Sequence, residues 1–168
     1  MSAGVRPAPI VRAQGDGERR WFFGGGVHTW KATAEETDGA FLLFEDQMVF
    51  GKMTPLHIHP GSDETMIVLE GEILMHLDGS EHPVRAGGVA VAPRGVPHAF
   101  MVVSEGGARL LCLHTPGCCQ AFYWDASEPL GDRAWDHQRD TVDMSRVQAS
   151  AQKNGGIQIL GPPPFQAA

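Results

Sequence analysis

Apolar and polar residues alternate along most of the chain between residues 21 and 114, in short runs that end at glycine, proline or aspartate. A period of two is typical of strands that bury one face. The pattern predicts strands at Trp21–Phe23, Val27–Thr33, Phe41–Glu45, Met48–Met53, Glu64–Glu70, Glu72–Leu77, Val89–Ala92, His98–Val103 and Ala108–His114. Roughly nine or ten short strands joined by tight turns indicate an all-β antiparallel sandwich or barrel.

The pattern changes at both ends of this region. Residues 1–20 are polar and contain several prolines and glycines, so we expect a flexible N-terminal arm. Residues 21–125 are predicted to form the barrel, and residues 126–168 a C-terminal extension. Within that extension Asp143 is placed to cap a helix over about Met144–Lys153, and Ile157–Leu160 predicts a last strand. The extension is too short for a domain, and we expect it to pack across the barrel or a partner subunit.

Composition excludes several functional classes. The chain of 168 residues has 21 glycines and 12 prolines, which suits one turn-rich β domain. Its net charge of −7, with both signs interspersed, argues against a nucleic-acid partner. Neither a membrane span nor the apolar block of a secretory signal is present, so we expect a cytoplasmic protein. Cys112 lies in an apolar run, and the adjacent Cys118 and Cys119 are poorly spaced for a mutual disulfide.

Four residues in two short stretches have the spacing of a metal site. His57 and His59 are separated by one residue, so on a strand both imidazoles project from the same face. Glu64 opens the next predicted strand, and His98 follows the corner that contains Pro93 and Gly95. Three imidazoles and one carboxylate suit a divalent first-row metal, namely Fe(II), Mn, Ni or Zn. Coordination positions left open to water or substrate would make such a site catalytic.

The two stretches resemble the paired motifs of the cupin family. The first motif matches at five fixed positions and the second at four, with Val102 where the family has asparagine: Gly51, His57, His59, Glu64 and Gly71, then Gly87, Pro93, Gly95 and His98. The resemblance implies a double-stranded β-helix (jelly-roll) barrel over about residues 41–115. It also implies that His57, His59, Glu64 and His98 bind one divalent metal ion, and that this single-motif-pair cupin forms a homodimer.

A narrower resemblance concerns activity. The phrases Thr54-Pro55-Leu56-His57, Val68-Leu69-Glu70-Gly71-Glu72 and Pro93-Arg94-Gly95-Val96-Pro97-His98 are similar to bacterial quercetin 2,3-dioxygenase-like monocupins. This similarity implies a metal-dependent dioxygenase that acts on a small aromatic or enolisable substrate and consumes O2. It also implies a catalytic role for Glu64: its carboxylate would dissociate from the metal and then act as a general base.

Several residues near the predicted metal site are candidates for a substrate pocket. Met53, Met66, Phe100 and His114 would form its wall, although methionine and phenylalanine more often belong to a core, and His114 is equally consistent with a hydrogen-bonded buried histidine. His28, His76 and His82 have no ligand-like neighbours in the sequence and are interpreted as surface or structural. Residues 122–124, Phe-Tyr-Trp, are placed either to cover the barrel mouth or to pack the tail.

Two other functions stay open at this point. The same ion acting only as a Lewis acid would support a redox-neutral isomerase or cyclase. A barrel that holds a small ligand without turnover is the third hypothesis, because a fold by itself does not determine a reaction.

Overall fold

The computed structural model describes residues 8–131 and 142–165. In that part of the chain two antiparallel sheets enclose one apolar core, and two short helices lie near the C-terminus. The strands are β1 (Arg19–Phe22), β2 (Val27–Ala32), β3 (Leu42–Met48), β4 (Leu56–Ile58), β5 (Asp63–Glu70), β6 (Glu72–Leu77), β7 (Ser80–Arg85), β8 (Val89–Ala92), β9 (His98–Val102), β10 (Ala108–Thr115), β11 (Ser127–Pro129) and β12 (Gln158–Gly161). The helices are α1 (Gln120–Asp125) and α2 (Met144–Asn154).

One sheet has seven strands in the order β11-β1-β2-β3-β10-β5-β8, and the other has five in the order β12-β4-β9-β6-β7. Burial alternates along the central strands, most clearly along β10, where every second residue is buried. The inward residues of β3 are Leu42, Phe44, Asp46 and Met48. The predicted all-β fold of two antiparallel sheets with a short C-terminal helix is therefore confirmed. On the inner side of β3, Asp46 is a charged residue among apolar ones.

The predicted strand Met48–Met53 is wrong. Met48 is the last residue of β3, and residues 49–52 turn so that the backbone N–H of Gly51 donates to the carbonyl of Val102 at 2.9 Å. Met53 joins β9 by a single bridge to Met101. The apolar residues of this segment had the period of a strand, yet Val49 and Phe50 are exposed. The turn carries Lys52 inward, where only 8% of this residue is exposed.

Two strands that follow residue 125 extend the sheets. β11 pairs with β1, and β12 pairs with β4, so residues beyond 125 border the core. Helix α2 begins after Asp143, whose carboxylate accepts from the backbone N–H of Arg146 at 3.3 Å. It buries Val147 against the core. Packing against a partner subunit stays a prediction. No helix among the described residues is long and apolar enough to cross a membrane.

The described part of the N-terminal segment is held by ion pairing. Arg12 donates two hydrogen bonds to Glu36, at 2.5 and 3.0 Å, and Lys31 Nζ donates to the carbonyls of Ala13 and Asp16. The hydrogen bond from Arg12 lowers the pKa of Glu36 from 4.5 to about 2. Because the pKa of the carboxyl is lower in the folded than in the unfolded protein, its contribution to stability is complete above pH 4.5 and is lost as the pH falls towards 2.

Arg12→Ala should therefore destabilise the protein more at neutral pH than at acidic pH. We expect a loss of about 0.5–1 kcal/mol in the free energy of unfolding at pH 7, because the pair is partly exposed and screened by solvent. The loss should shrink by more than half at pH 3. Urea unfolding of both proteins at the two pH values measures it, and Arg85→Ala, at a more exposed ion pair on β7, is the control. An equal loss at both pH values would contradict this account.

Candidate metal centre

Four ionisable side chains converge between the two sheets. His57 on β4 lies opposite His98 on β9, and Glu64 on β5 faces them from the other sheet. The Nε2 atoms of His98 and His59 lie 2.8 and 3.3 Å from Glu64 Oε2. Potential ligand atoms of all four residues lie within 4.8 Å of one another, and every one of the residues is buried. The structure thus brings together the four residues that the sequence assigns to a metal ion.

The orientation of the three imidazoles is set by the backbone. The Nδ1 atoms of His57, His59 and His98 lie 2.8, 2.7 and 2.8 Å from the carbonyl oxygens of Pro55, Gly156 and Val96. A carbonyl can only accept, so each Nδ1 carries a proton, and in the neutral form of the ring Nε2 presents a lone pair. Two of these lone pairs lie against the Glu64 carboxylate, which also accepts. A contact between two acceptors is stable only with a proton or a cation between them, and the donor set therefore fits a metal.

A cavity adjoins this cluster. It encloses about 50 Å³ and is bounded by both sheets, by the Gly24 turn and by both helices. Its lining residues are Phe22, Gly24, His28, Phe44, Asp46, Lys52, Met53, Thr54, Pro55, His57, Glu64, Phe100, Cys112, Phe122, Tyr123, Met144, Val147 and Ile157. Its walls are mainly aromatic and aliphatic, so a molecule bound in the cavity would be shielded from water where it contacts Glu64.

Comparison with known proteins shows what part of the chain is similar to a known domain. Residues 47–114 match the family described as "Cupin domain". A solved RmlC-like cupin from Shewanella frigidimarina superimposes with a TM-score of 0.57 at 18% identity, covering 67% of this chain and 95% of that chain. The chain thus contains a cupin domain over residues 47–114.

Two curated relatives of this cupin are similar over part of their length. Quercetin 2,3-dioxygenase of Bacillus subtilis is 32% identical over 97 residues, which are 58% of this chain and 28% of that protein. The HTH-type transcriptional regulator PuuR of Escherichia coli is 35% identical over 66 residues, or 39% of this chain and 36% of the regulator. The matches thus span about a third or less of these relatives, and the similarity concerns the cupin domain.

Burial and mutual charge shift the pKa values within the cluster. Burial and the neighbouring imidazoles His98 and His59 lower the pKa of His57 well below its usual value. For His98, burial acts downwards, but the hydrogen bond and charge of Glu64 outweigh it and raise the pKa. Burial opposes ionisation of Glu64, yet the surrounding imidazoles hold the pKa of its carboxyl well below 4.5. The Glu64 carboxylate is therefore ionised, because the surrounding imidazoles lower its pKa.

Two of the four predicted pocket residues line the cavity and two do not. Met53 and Phe100 line the cavity of this cupin, whereas Met66 and His114 are completely buried and are not among its lining residues. His114 Nε2 lies 3.7 Å from Glu64 Oε1, and burial lowers the pKa of this histidine to about 3. His114 is therefore a neutral group packed behind the carboxylate.

A second group of potential ligands overlaps the first. Ligand atoms of His59, His114 and Cys119 also lie within 4.8 Å of one another. His59 Nδ1 is already engaged with Gly156, so its Nε2 has one lone pair and can bind one ion only. The two groups are thus alternative ligand sets for one metal rather than two occupied sites.

Three polar residues of the cavity are not identified as site residues by sequence analysis: His28, Asp46 and Lys52. His28, interpreted as surface or structural, is 1% exposed and its ring stacks on those of Phe22 and Phe44 at 4.7 and 4.3 Å. One signal was present in the sequence, because Asp46 has the parity of the buried residues of β3. A charged residue in phase with an apolar alternation indicates a buried polar group. Tyr123, on the predicted Phe-Tyr-Trp segment, lines the cavity from α1.

Proposed function

We propose that this cupin is a metal-dependent dioxygenase that acts on a small aromatic or enolisable substrate. His57, His59, Glu64 and His98 are the proposed ligands of one divalent ion, Fe(II), Mn, Ni or Zn. The convergence of imidazole lone pairs on a buried carboxylate, with each Nδ1 held by a backbone carbonyl, carries the proposal. The partial similarity to a quercetin 2,3-dioxygenase supports the oxidative reaction over others.

The chain's own residues supply binding, orientation and proton transfer. A divalent ion held by these ligands would lower the pKa of a substrate hydroxyl and stabilise the resulting anion. Glu64 lines the cavity, so its carboxylate is the group placed to accept the proton of that hydroxyl. The backbone carbonyls hold the imidazoles in one orientation, with Nε2 directed at the site, during this transfer. Phe44, Phe100 and Tyr123 exclude water and offer flat surfaces to a planar ring.

The size of the cavity favours a small substrate. Its volume of about 50 Å³ is well below the roughly 300–1,000 Å³ of typical ligand pockets. A three-ring flavonol would require outward movement of α1 and α2, which carry Tyr123 and Val147 over the cavity. We therefore propose a substrate with one ring, or an enediol of similar size, rather than quercetin itself.

Oxygen consumption tests this function directly. The protein is stripped of metal, reloaded separately with Fe(II), Mn, Ni or Zn, and offered catechol, an enediol and quercetin in an O2 electrode. We expect uptake that requires both a substrate and a redox-capable metal, with the zinc form inactive and catechol faster than quercetin. His82→Ala, an exposed histidine of β7, should behave as wild type. Substrate turnover without O2 uptake would favour the isomerase or cyclase alternative, and binding without turnover the ligand-binding one.

Two properties that the resemblance and the sequence imply, a homodimer and a cytoplasmic location, stay predictions. The exposed Val89 and Val91 of the edge strand β8 offer an apolar surface to a second copy.

A further inference from the structure

Three polar side chains meet where the Gly24–Gly26 turn covers the cavity. His28, Asp46 and Lys52 all line it, and they are 1, 3 and 8% exposed. Lys52 Nζ lies 3.9 Å from Asp46 Oδ2, and His28 Nε2 lies 3.6 Å from the same oxygen. Both separations exceed hydrogen-bond distance. The group is therefore buried, charged and only loosely paired.

Two atoms of this group have no hydrogen-bond partner among the described residues: Asp46 Oδ1 and His28 Nδ1. A buried acceptor without a partner is destabilising, and apolar residues of similar size would pack at these positions without that cost. The glycine turn brings backbone close enough to cover the group, since a Cβ at Gly26 would lie 2.7 Å from Asp46 Oδ1. The fold thus maintains an unsatisfied polar group at a position where packing does not require one.

The polar group and the metal cluster lie at different levels of the same cavity. In the strand register, Glu64 of β5 lies opposite His114 of β10, and His114 lies opposite Leu42 of β3. Asp46 follows Leu42 by four residues, which is about 13 Å along a strand. Phe44 lies between those two levels, and the Phe100 ring is 4.4 Å from Lys52 Nζ. A ligand between the two levels would touch mostly apolar wall and meet polar atoms at its two ends.

We propose that His28, Asp46 and Lys52 form a polar subsite that binds a neutral hydroxyl group at the end of the ligand remote from the metal cluster. A hydroxyl can accept from Lys52 Nζ and donate to Asp46 Oδ1 at the same time. A carboxylate would be repelled by Asp46, and an ammonium by Lys52. The inference rests on the proposed function, because that function places the reacting end of the ligand at the metal.

Three catechols that differ only at the remote end test the subsite. The probes are 4-methylcatechol, 4-(hydroxymethyl)catechol and 3,4-dihydroxybenzoate, titrated calorimetrically into the zinc-loaded protein, in which no oxidation occurs. We expect the hydroxymethyl compound to bind about tenfold more tightly than the methyl compound, as one hydrogen bond to a charged group provides. The carboxylate compound should bind no more tightly than the methyl compound.

A double variant removes the subsite without leaving a lone buried charge. Asp46→Leu combined with Lys52→Met keeps similar volumes and eliminates both charges together, so we expect a folded protein with an unchanged or higher unfolding temperature. The tenfold preference for the hydroxymethyl compound should disappear while the affinity for 4-methylcatechol is retained. The matched control, Glu72→Leu with Arg85→Met, removes an exposed ion pair elsewhere and should keep the preference.

The possible outcomes separate this inference from the proposed function. Equal affinities of the three catechols for the wild type, or a preference that survives in the double variant, would overturn the subsite alone. Failure of all three to bind the zinc-loaded protein would overturn the subsite together with the metal-centred function.

Discussion

His59→Ala should lower the affinity for a divalent metal by at least about 100-fold. Loss of a residue that only hydrogen-bonds to a metal ligand already lowers metal affinity by about 10–100-fold. His59 is itself one of the four converging groups. Its Nδ1 contacts the carbonyl oxygen of Gly156 at 2.7 Å, which directs its Nε2 towards the other three groups. Metal content after gel filtration and a competition titration with a chromophoric chelator measure the effect for Zn(II) and Ni(II).

Further variants distinguish the two overlapping ligand sets. If His57, His59, Glu64 and His98 hold the ion, His57→Ala should lose metal as His59→Ala does, whereas His114→Gln and Cys119→Ser should retain it. The opposite result would assign the ion to His59, His114 and Cys119. Circular dichroism confirms that each variant is folded, and His82→Ala again serves as the unaffected control. Full metal occupancy of His59→Ala would contradict both sets.

The four residues that converge between the sheets were predictable from their spacing together with the resemblance to the paired cupin motifs. His57 and His59 must share a face on any strand, and His98 follows a corner whose proline and glycine are visible in the sequence. Alternation likewise located strands such as β8 to the residue. Helix α1 was not predicted, because six residues give too little periodicity to distinguish a helix from a turn.

The cavity was less predictable, because parity gives the face of a residue and not its depth. Met66 has the parity of Glu64, yet it is fully buried in the core and does not line the cavity. Lys52 lies in a segment whose apolar pattern predicts a strand, and only the turn after Met48 brings it inside. The cavity wall also depends on residues distant in sequence, such as Tyr123 and Val147, and no local pattern brings them together.

Two glycines with nearly the same positive φ angle differ in their surroundings. Gly71 joins β5 to β6 with φ +78°, and Gly79 joins β6 to β7 with φ +79°. A Cβ at Gly79 would have no heavy atom within 4 Å, whereas one at Gly71 would lie 2.3 Å from Gly107 O and 2.6 Å from Ser104 Oγ. Ser104 Oγ donates to the same carbonyl at 2.6 Å and accepts from the backbone N–H of Glu72 at 2.9 Å, so these atoms cannot move independently.

Gly71→Ala should therefore be among the most destabilising single substitutions in this cupin. Gly79→Ala is the matched control, and its left-handed conformation alone should cost about 1–2 kcal/mol in the free energy of unfolding. Gly71→Ala should cost at least about 2 kcal/mol more, because the added methyl forces apart backbone and side-chain atoms that join the β5–β6 turn to the loop between β9 and β10. Urea unfolding of both variants isolates the steric contribution as their difference. Equal losses would mean that the Ser104–Gly107 loop yields freely, and that Gly71 is needed for its conformation alone.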